Sequence, residues 1–149
     1  SGVFRSTNGG RAWREVDFST DLAPVLSLAL APGDTSNGLL FAGTEDNGLY
    51  SSRDQGGSWD RLGEGTIDGA VNAILLSPEF STRPEMLVAL ADALLVSRDG
   101  GQSWSDWNPD FDGQQGITAV AGPQGLGPEA SLLVGTVEGG IEIIRSQGT

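Results

Sequence analysis

The chain has 149 residues, and neither cysteine nor histidine occurs in it. Disulfides, thiolate metal sites and catalysis by a histidine-activated nucleophile are therefore excluded for these residues. Only 8 basic residues oppose 20 acidic ones, and the net charge of -12 repels phosphate backbones and anionic lipid surfaces. We expect no cofactor, no nucleic-acid partner and no insertion into a membrane.

In chain order, short apolar runs alternate with turns rich in Gly, Pro, Asp and Asn. The opening motif "VFRSTNGGRAW" (3–13) is followed by "VLSLALAP" (25–32), "LLFAGT" (39–44) and "LYSSRDQGGSW" (49–59). The series returns as "VNAILLSP" (71–78), "MLVALAD" (86–92) and "LLVSRDGGQSW" (94–104), then as "ITAVAGP" (117–123), "LLVGTV" (132–137) and "GGIEIIRSQG" (139–148). Short runs rich in Val, Ile and Leu between turn residues predict β-strands. The sequence therefore predicts an all-β protein.

The motifs that end in tryptophan recur at a fixed period. Trp13, Trp59 and Trp104 are separated by 46 and 45 residues. Four short strands in about 45 residues is the dimension of one β-propeller blade. We therefore expect thirteen strands in a single domain, residues 1–149. Its repeats lie near 1–17 (partial), 18–62, 63–107 and 108–149 (partial).

Two of these motifs follow the pattern Ser-x-Asp-x-Gly-x-Ser-Trp. The matching residues are Ser52, Asp54, Gly56, Ser58 and Trp59, and again Ser97, Asp99, Gly101, Ser103 and Trp104. The opening copy keeps Ser6, Gly10 and Trp13 but has Asn8 for the aspartate and Ala12 for the serine. The pattern resembles the Asp-box (BNR) repeat of sialidase-like β-propellers, a group that includes xyloglucan-degrading hydrolases, sortilin-type receptors and photosystem II assembly factors. The resemblance implies blades of four antiparallel strands with the boxes on the outer rim, away from the active face.

We expect each box to be structural. A carboxylate such as that of Asp99 can accept hydrogen bonds from amides of its own turn, while glycine supplies a positive φ. Trp104 would begin the next strand and bury its ring between neighbouring sheets. Because a lone turn carboxylate offers at most two of the roughly 6 to 8 oxygens that calcium takes, no metal site is expected.

The repeats supply about three blades, whereas a closed propeller has about 4 to 8. Unpaired strand edges and uncovered blade faces would remain at both ends, which natural proteins seldom expose. Two interpretations follow. The chain is part of a longer repeat protein, with further blades or a protein partner covering its ends, or two copies form a homodimer that completes a six-bladed ring.

Acidic residues concentrate in the loops at the end of the blades opposite the boxes. These rim residues are Asp21, Glu45, Asp46, Asp68, Asp92, Asp110, Asp112 and Glu138. Such a rim could hold two carboxylates roughly 5 to 9.5 Å apart, the separation that glycoside hydrolases use. Asp68 and Asp112, in equivalent loops of adjacent blades, are the candidate catalytic pair. The alternative is that these aspartates are turn residues, a common role for Asp.

The sequence favours a non-catalytic binding or scaffold module of an exported bacterial protein, extracellular or periplasmic. Two alternatives stay open. One is a glycoside hydrolase module with catalytic carboxylates on the acidic rim and a carbohydrate ligand; the other is an assembly factor or accessory subunit of a larger complex. Sialidase activity is disfavoured, because that family uses a tyrosine nucleophile and the single tyrosine, Tyr50, falls inside a repeat strand.

Overall fold

The computed structural model describes residues 2–16, 24–32 and 38–147, which fold into antiparallel β-sheets. These ranges contain thirteen strands, the number predicted. The strands are β1 (Phe4–Arg5), β2 (Arg14–Glu15), β3 (Val25–Leu30), β4 (Leu40–Thr44), β5 (Leu49–Ser52), β6 (Asp60–Leu62), β7 (Val71–Leu76), β8 (Met86–Leu90), β9 (Leu94–Ser97), β10 (Ser105–Asp106), β11 (Ile117–Ala121), β12 (Ser131–Thr136) and β13 (Gly140–Arg145). One short 3-10 helix, Gly113–Gln115, precedes β11. In the described part of the chain, no helix has the length and apolar character needed to cross a membrane.

The strands form successive propeller blades, as the sequence predicted. Blade 1 is the sheet β3-β4-β5-β6, blade 2 is β7-β8-β9-β10, and blade 3 is the three-stranded sheet β11-β12-β13. The pair β1-β2 forms a separate small sheet, which we call the half-blade. Every strand is antiparallel to its sheet neighbour and each blade follows chain order, so short loops suffice as connections.

Each blade has two apolar faces, because side chains along a strand point alternately to opposite sides of the sheet. We call the face toward the preceding blade the leading face and the face toward the following blade the trailing face. In β8 the neighbours Leu87 and Val88 are both fully buried, yet they belong to different hydrophobic clusters. Val88 packs with Phe41 of blade 1, and Leu87 packs with Val134 of blade 3. The core therefore lies between the blades, in layers.

A polar contact also joins blades 2 and 3. Arg98, in the turn after β9, donates to the carbonyl oxygen of Leu126 at 2.7 Å and forms an ion pair with Glu85. Leu126 lies in the loop before β12 and is itself buried in the cluster between these blades. The guanidinium thus fixes the loop that closes the outer end of that cluster.

The tryptophan most deeply buried in the described chain is one that the box pattern does not contain. Trp107 has no exposed surface, packs in the cluster between blades 2 and 3, and donates its indole N–H to the carbonyl oxygen of Ile144 at 3.0 Å. Trp104 is only half-buried, although it packs against the cluster between blades 1 and 2 as expected. Trp13 is 61% exposed. The burial predicted for the box tryptophans therefore depends on whether a neighbouring blade is present.

Truncation of Trp107 is expected to destabilise the fold strongly, whereas truncation of Trp13 is not. Trp107→Ala would remove a large buried side chain and leave the carbonyl of Ile144 without its donor, at a cost of about 3 to 5 kcal/mol. Trp13→Ala is the matched control and should change the free energy of unfolding by less than about 1 kcal/mol, since its ring is mostly in water. Urea denaturation measures both. Equal losses for the two variants would contradict this account of the core.

Candidate functional site

Two regions of the blades can be assessed as sites: the box turns at one end and the loops of the acidic rim at the other. In the second box, the Oγ of Ser52 donates to Oδ1 of Asp54 at 2.8 Å and accepts from the backbone N–H of Gly56 at 2.8 Å. Ser58 donates to Asp54 twice, from its backbone N–H at 2.8 Å and from its hydroxyl at 2.7 Å. The carboxylate is therefore engaged within its own turn.

The third box repeats this arrangement. Ser103 donates to Asp99 from its backbone N–H at 2.9 Å and from its hydroxyl at 2.5 Å. In the first box the amide oxygen of Asn8 accepts from the backbone of Ala12 at 2.8 Å, and Ser6 closes the turn onto Gly10 at 2.8 Å. Asparagine thus keeps the shape of the turn. The negative charge is lost, and Ala12 cannot make the hydroxyl contact that Ser58 and Ser103 make in the other boxes.

These hydrogen bonds make the two box aspartates stronger acids. The hydroxyl and backbone N–H of Ser58 lower the pKa of Asp54 from 3.8 to about 2, and Ser103 does the same for the pKa of Asp99. Within the described ranges, no group of three or more acidic side chains lies close enough together to hold a metal ion. In each of these two boxes, backbone N–H groups and serine hydroxyls of the same turn donate to the carboxylate.

Acidification should destabilise the protein as the box carboxylates take up protons. Because the pKa of Asp54 and Asp99 is lower in the folded state, their contribution is present above about pH 4 and is lost as the pH falls through about 2. The double variant Asp54→Asn, Asp99→Asn should lose stability less steeply between pH 4 and pH 2 in thermal melts. The converse variant Asn8→Asp, Ala12→Ser should lose it more steeply. Identical pH slopes would rule out this linkage.

The box turns also set the contact between successive blades. The glycine of each turn lies close to the preceding sheet: a Cβ on Gly101 would meet Cδ1 of Leu62, in the last strand of blade 1, at 2.9 Å, and one on Gly56 would meet Val16, just after β2 of the half-blade, at 3.3 Å. Both glycines also have positive φ, +96° and +92°. The positive φ favours glycine at both positions, and the absence of a side chain leaves room for Leu62 and Val16.

Replacing Gly101 should therefore cost more than replacing a glycine with the same backbone shape in open space. Gly65, with φ +82° and no atom within 4 Å of the position that a Cβ would take, is the matched control. Gly65→Ala should cost about 1 to 2 kcal/mol from the left-handed backbone alone. Gly101→Ala adds overpacking against Leu62, a further penalty at the lower end of about 1 to 3 kcal/mol, because the methyl group of Leu62 can move aside. Chemical denaturation compares the two, and equal costs would show that the contact between blades is not tight.

At the opposite end of the blades, two sets of loops meet to form the rim. The amide of Gly48, before β5, donates to the carbonyl of Gly69, before β7, at 3.1 Å. One blade further along, the amide of Ile117 donates to the carbonyl of Ala91 at 2.8 Å. The structure thus brings together the loops that the sequence assigned to one rim.

The predicted rim residues occupy these loops. Glu45 and Asp46 lie between β4 and β5, Asp92 between β8 and β9, Glu138 between β12 and β13, Asp68 before β7, and Asp110 and Asp112 before β11. All seven are exposed. Asp21 lies outside the described residues.

The two candidate catalytic carboxylates have different surroundings. Asp68 Oδ1 pairs with the guanidinium of Arg61 at 2.8 Å and accepts from the backbone N–H of Gly65 at 2.9 Å. Asp112 caps the 3-10 helix by accepting from the backbone N–H of Gln114 at 3.0 Å. Asp68 is tied into a loop by a positive partner, whereas Asp112 retains acceptor capacity toward solvent. Their pairing as acid and base stays a prediction.

Sequence reasoning missed the contact that positions Asp112. A Cβ on the adjacent Gly113 would clash with the carbonyl oxygen of Asp92, so the two loops touch backbone to backbone. Only glycine permits this approach. The contact brings the loop that contains Asp92 next to the loop that contains Asp112. A single glycine in a loop sequence has no periodic signal that would reveal such a contact.

Comparison with known proteins identifies relatives among polysaccharide-degrading enzymes. No family model matches the chain. A probable oligoxyloglucan-reducing end-specific xyloglucanase of Neosartorya fischeri is 32% identical over 69 residues, which are 42% of this chain and 8% of that protein. A xyloglucanase of Hypocrea jecorina is 34% identical over 90 residues, which are 58% of this chain and 10% of that protein. The chain thus matches a small fraction of these relatives' length.

Solved structures of GH74 enzymes superpose on the fold of this chain. An ancestral GH74 enzyme superposes with a TM-score of 0.69 at 23% identity, covering 99% of this chain and 20% of that one. A GH74 enzyme of Niastella koreensis gives 0.66 at 18% identity, with 95% and 25% covered. The GH74 xyloglucanase of Xanthomonas campestris gives 0.50 at 20% identity, with 77% and 22% covered. These likenesses support the all-β propeller architecture.

The comparisons overturn one prediction from the sequence. A non-catalytic binding or scaffold module was the favoured function, but the two curated relatives are both xyloglucanases. The scaffold interpretation gave most weight to the role of aspartate as a common turn residue, and the fold alone does not distinguish binding modules from hydrolases. Glycoside hydrolysis uses carboxylates and needs no histidine. The hydrolase alternative agrees better with these findings.

Proposed function

We propose that this chain forms part of a glycoside hydrolase that acts on xyloglucan. The observation that supports the proposal is the local similarity, 32% and 34% identity, to two xyloglucanases. Xyloglucan is an uncharged polysaccharide, so the net charge of -12 does not repel it. Degradation of such a large polysaccharide outside the cell is consistent with the first of the two locations expected from the sequence, extracellular or periplasmic.

The acidic rim is the part of the chain best suited to face such a substrate. Its exposed carboxylates can accept hydrogen bonds from sugar hydroxyls, and the paired loops hold them on a fixed frame. Asp112 is the better candidate for contact with the polysaccharide, because Asp68 is already engaged by Arg61 and by the amide of Gly65. The activity of the whole hydrolase belongs to a protein much longer than the matched segment.

Affinity electrophoresis of the 149-residue chain tests this proposal. Migration should be retarded in gels containing xyloglucan and unchanged in gels containing dextran. Asp112→Asn removes the charge but keeps an oxygen that can cap the 3-10 helix, so the turn should be preserved. The dissociation constant for xyloglucan obtained from the retardation should rise at least tenfold. Asp106→Asn, an exposed aspartate on β10, is the matched control and should behave as the parent chain does.

A reducing-end assay on xyloglucan then separates binding from catalysis. If Asp112 is one of a catalytic pair within this segment, the parent chain releases reducing ends and Asp112→Asn does not. Retardation without release would assign the segment to substrate binding. Neither retardation nor release, in a chain that is folded by circular dichroism, would refute the proposal.

A further inference from the structure

The half-blade carries a local positive charge in a chain whose net charge is -12. Residues 2–16 contain three arginines, Arg5, Arg11 and Arg14, and one acidic residue, Glu15. Arg5 and Arg14 lie directly opposite each other in the β1-β2 pair, so their side chains share one face of the sheet. Like charges at such positions repel each other. A counter-charge on this face would therefore stabilise the half-blade.

The part of the chain that the structure describes supplies no such counter-charge. None of its ion pairs involves Arg5 or Arg14. Glu15 follows Arg14 along the strand, so it points to the opposite face, where its carboxylate lies against Gly2. Arg5 donates from Nη1 to the carbonyl oxygen of Gln55 at 2.9 Å, which uses one of the two nitrogens at the end of its fork. Both guanidinium groups thus keep N–H donors for a ligand.

A pocket of about 320 Å³ lies beside these two arginines. The described residues that line it are Arg5, Thr7, Asn8, Ala12 and Arg14, and none of the five is acidic. Asn8 and Ala12 are the two positions at which the first box departs from the pattern Ser-x-Asp-x-Gly-x-Ser-Trp. In the other two boxes these positions hold a carboxylate and the serine hydroxyl that donates to it. One departure therefore removes a negative charge from the pocket, and the other removes a side-chain oxygen.

Asn8 also offers hydrogen-bond donors where an aspartate would offer acceptors. Its Oδ1 accepts from the backbone N–H of Ala12 at 2.8 Å and from the hydroxyl of Ser6 at 3.0 Å, which leaves the NH2 group as a donor. Thr7 adds a hydroxyl, and the two guanidinium groups add charged donors. A ligand in the pocket therefore meets N–H donors and positive charge, which is the chemistry that recognises oxyanions.

We propose that this pocket binds a tetrahedral oxyanion group, a sulfate or a phosphate, held between the guanidinium groups of Arg5 and Arg14. Guanidinium groups bind oxyanions through paired N–H···O hydrogen bonds. The four oxygens of a sulfate or phosphate can serve two guanidinium groups and the Asn8 amide together, whereas a carboxylate has only two oxygens. The pocket lies at the end of the blades that holds the boxes, so the inference is independent of the proposed action on xyloglucan.

The acidic groups elsewhere in the described chain do not cancel this positive charge. The carboxylate of Asp54, next to Gln55, accepts from its own turn and is not among the residues that line the pocket. The rim loops lie at the other end of the strands, and a strand of five residues such as β4 is about 17 Å long. Exposed charges farther apart than about 8 Å are largely screened at physiological ionic strength. The local field at the pocket is therefore positive.

Isothermal titration calorimetry of the full 149-residue chain with sodium sulfate, in sodium chloride at constant ionic strength, tests the proposal. Saturable binding at one site is expected, and Arg14→Gln should raise its dissociation constant at least tenfold. Arg11→Gln is the matched control: it removes the same charge from the same turn but does not line the pocket, so it should leave binding unchanged. In sulfate-free buffer Arg14→Gln should melt no lower than the parent chain, because it relieves the repulsion from Arg5.

Restoring the box provides a second variant. Asn8→Asp, Ala12→Ser puts a carboxylate and a hydroxyl back into the pocket and should abolish sulfate binding while the turn is kept. Two results would overturn the proposal: equal effects of sulfate and chloride on the parent chain, or equal weakening by Arg11→Gln and Arg14→Gln, which would indicate a diffuse positive surface without a built pocket.

Electrophoresis in gels containing dextran sulfate or plain dextran distinguishes a free ion from a group carried on a polymer. Retardation by dextran sulfate that inorganic sulfate reverses, and that Arg14→Gln loses, supports a site that accepts the group on a polymer. Binding of inorganic sulfate without such retardation supports a site for the free ion. Arg14→Gln should leave retardation by xyloglucan unchanged, so failure at this pocket and failure of the proposed function are separate results.

Discussion

The structure depends on the burial of each sheet between two neighbours. A four-stranded sheet with apolar side chains on both sides cannot be stable alone in water, since both of its faces must be covered. Among the described residues, blade 2 meets this requirement on both faces: its adjacent residues Leu87 and Val88 enter different clusters, one shared with blade 3 and the other with blade 1. The sequence repeats every 45 or 46 residues because each blade must present the same apolar side chains to its neighbours.

The box turns and the rim loops divide the remaining work between the two ends of the blades. At the box end, serine and aspartate satisfy the turn locally, and glycine admits the last strand of the preceding blade to close contact. At the rim end, loops from successive strands are joined by backbone hydrogen bonds, which leaves acidic side chains free to face solvent. One end therefore fixes the spacing of blades while the other can vary its chemistry.

Much of the fold was predictable from the sequence because the box motif occurs in three copies, so each copy supports the strand assignment of the others. Strand positions, the number of strands and the two sets of loops all follow from apolar runs and turn residues whose signals are local. The burial of Trp107 was not predictable, because it depends on blade 3 covering a position that the box pattern does not mark. The approach of Gly113 to Asp92 and the ion pair of Asp68 with Arg61 were missed for a similar reason: each depends on how loops meet in space. Function was predicted least well, since the same blades serve catalytic and non-catalytic proteins alike.

Because each layer of the core is shared by two adjacent blades, the stability of a blade depends directly on the blades beside it. Blade 2 is covered on both sides, and its strands β8 and β9 are buried along almost their whole length. The outer blades each lack one covering layer, so their local opening exposes less apolar surface than the opening of blade 2. Among the described residues, local opening is therefore expected to cost least at the outer sheets and most at blade 2, whose two faces are both covered.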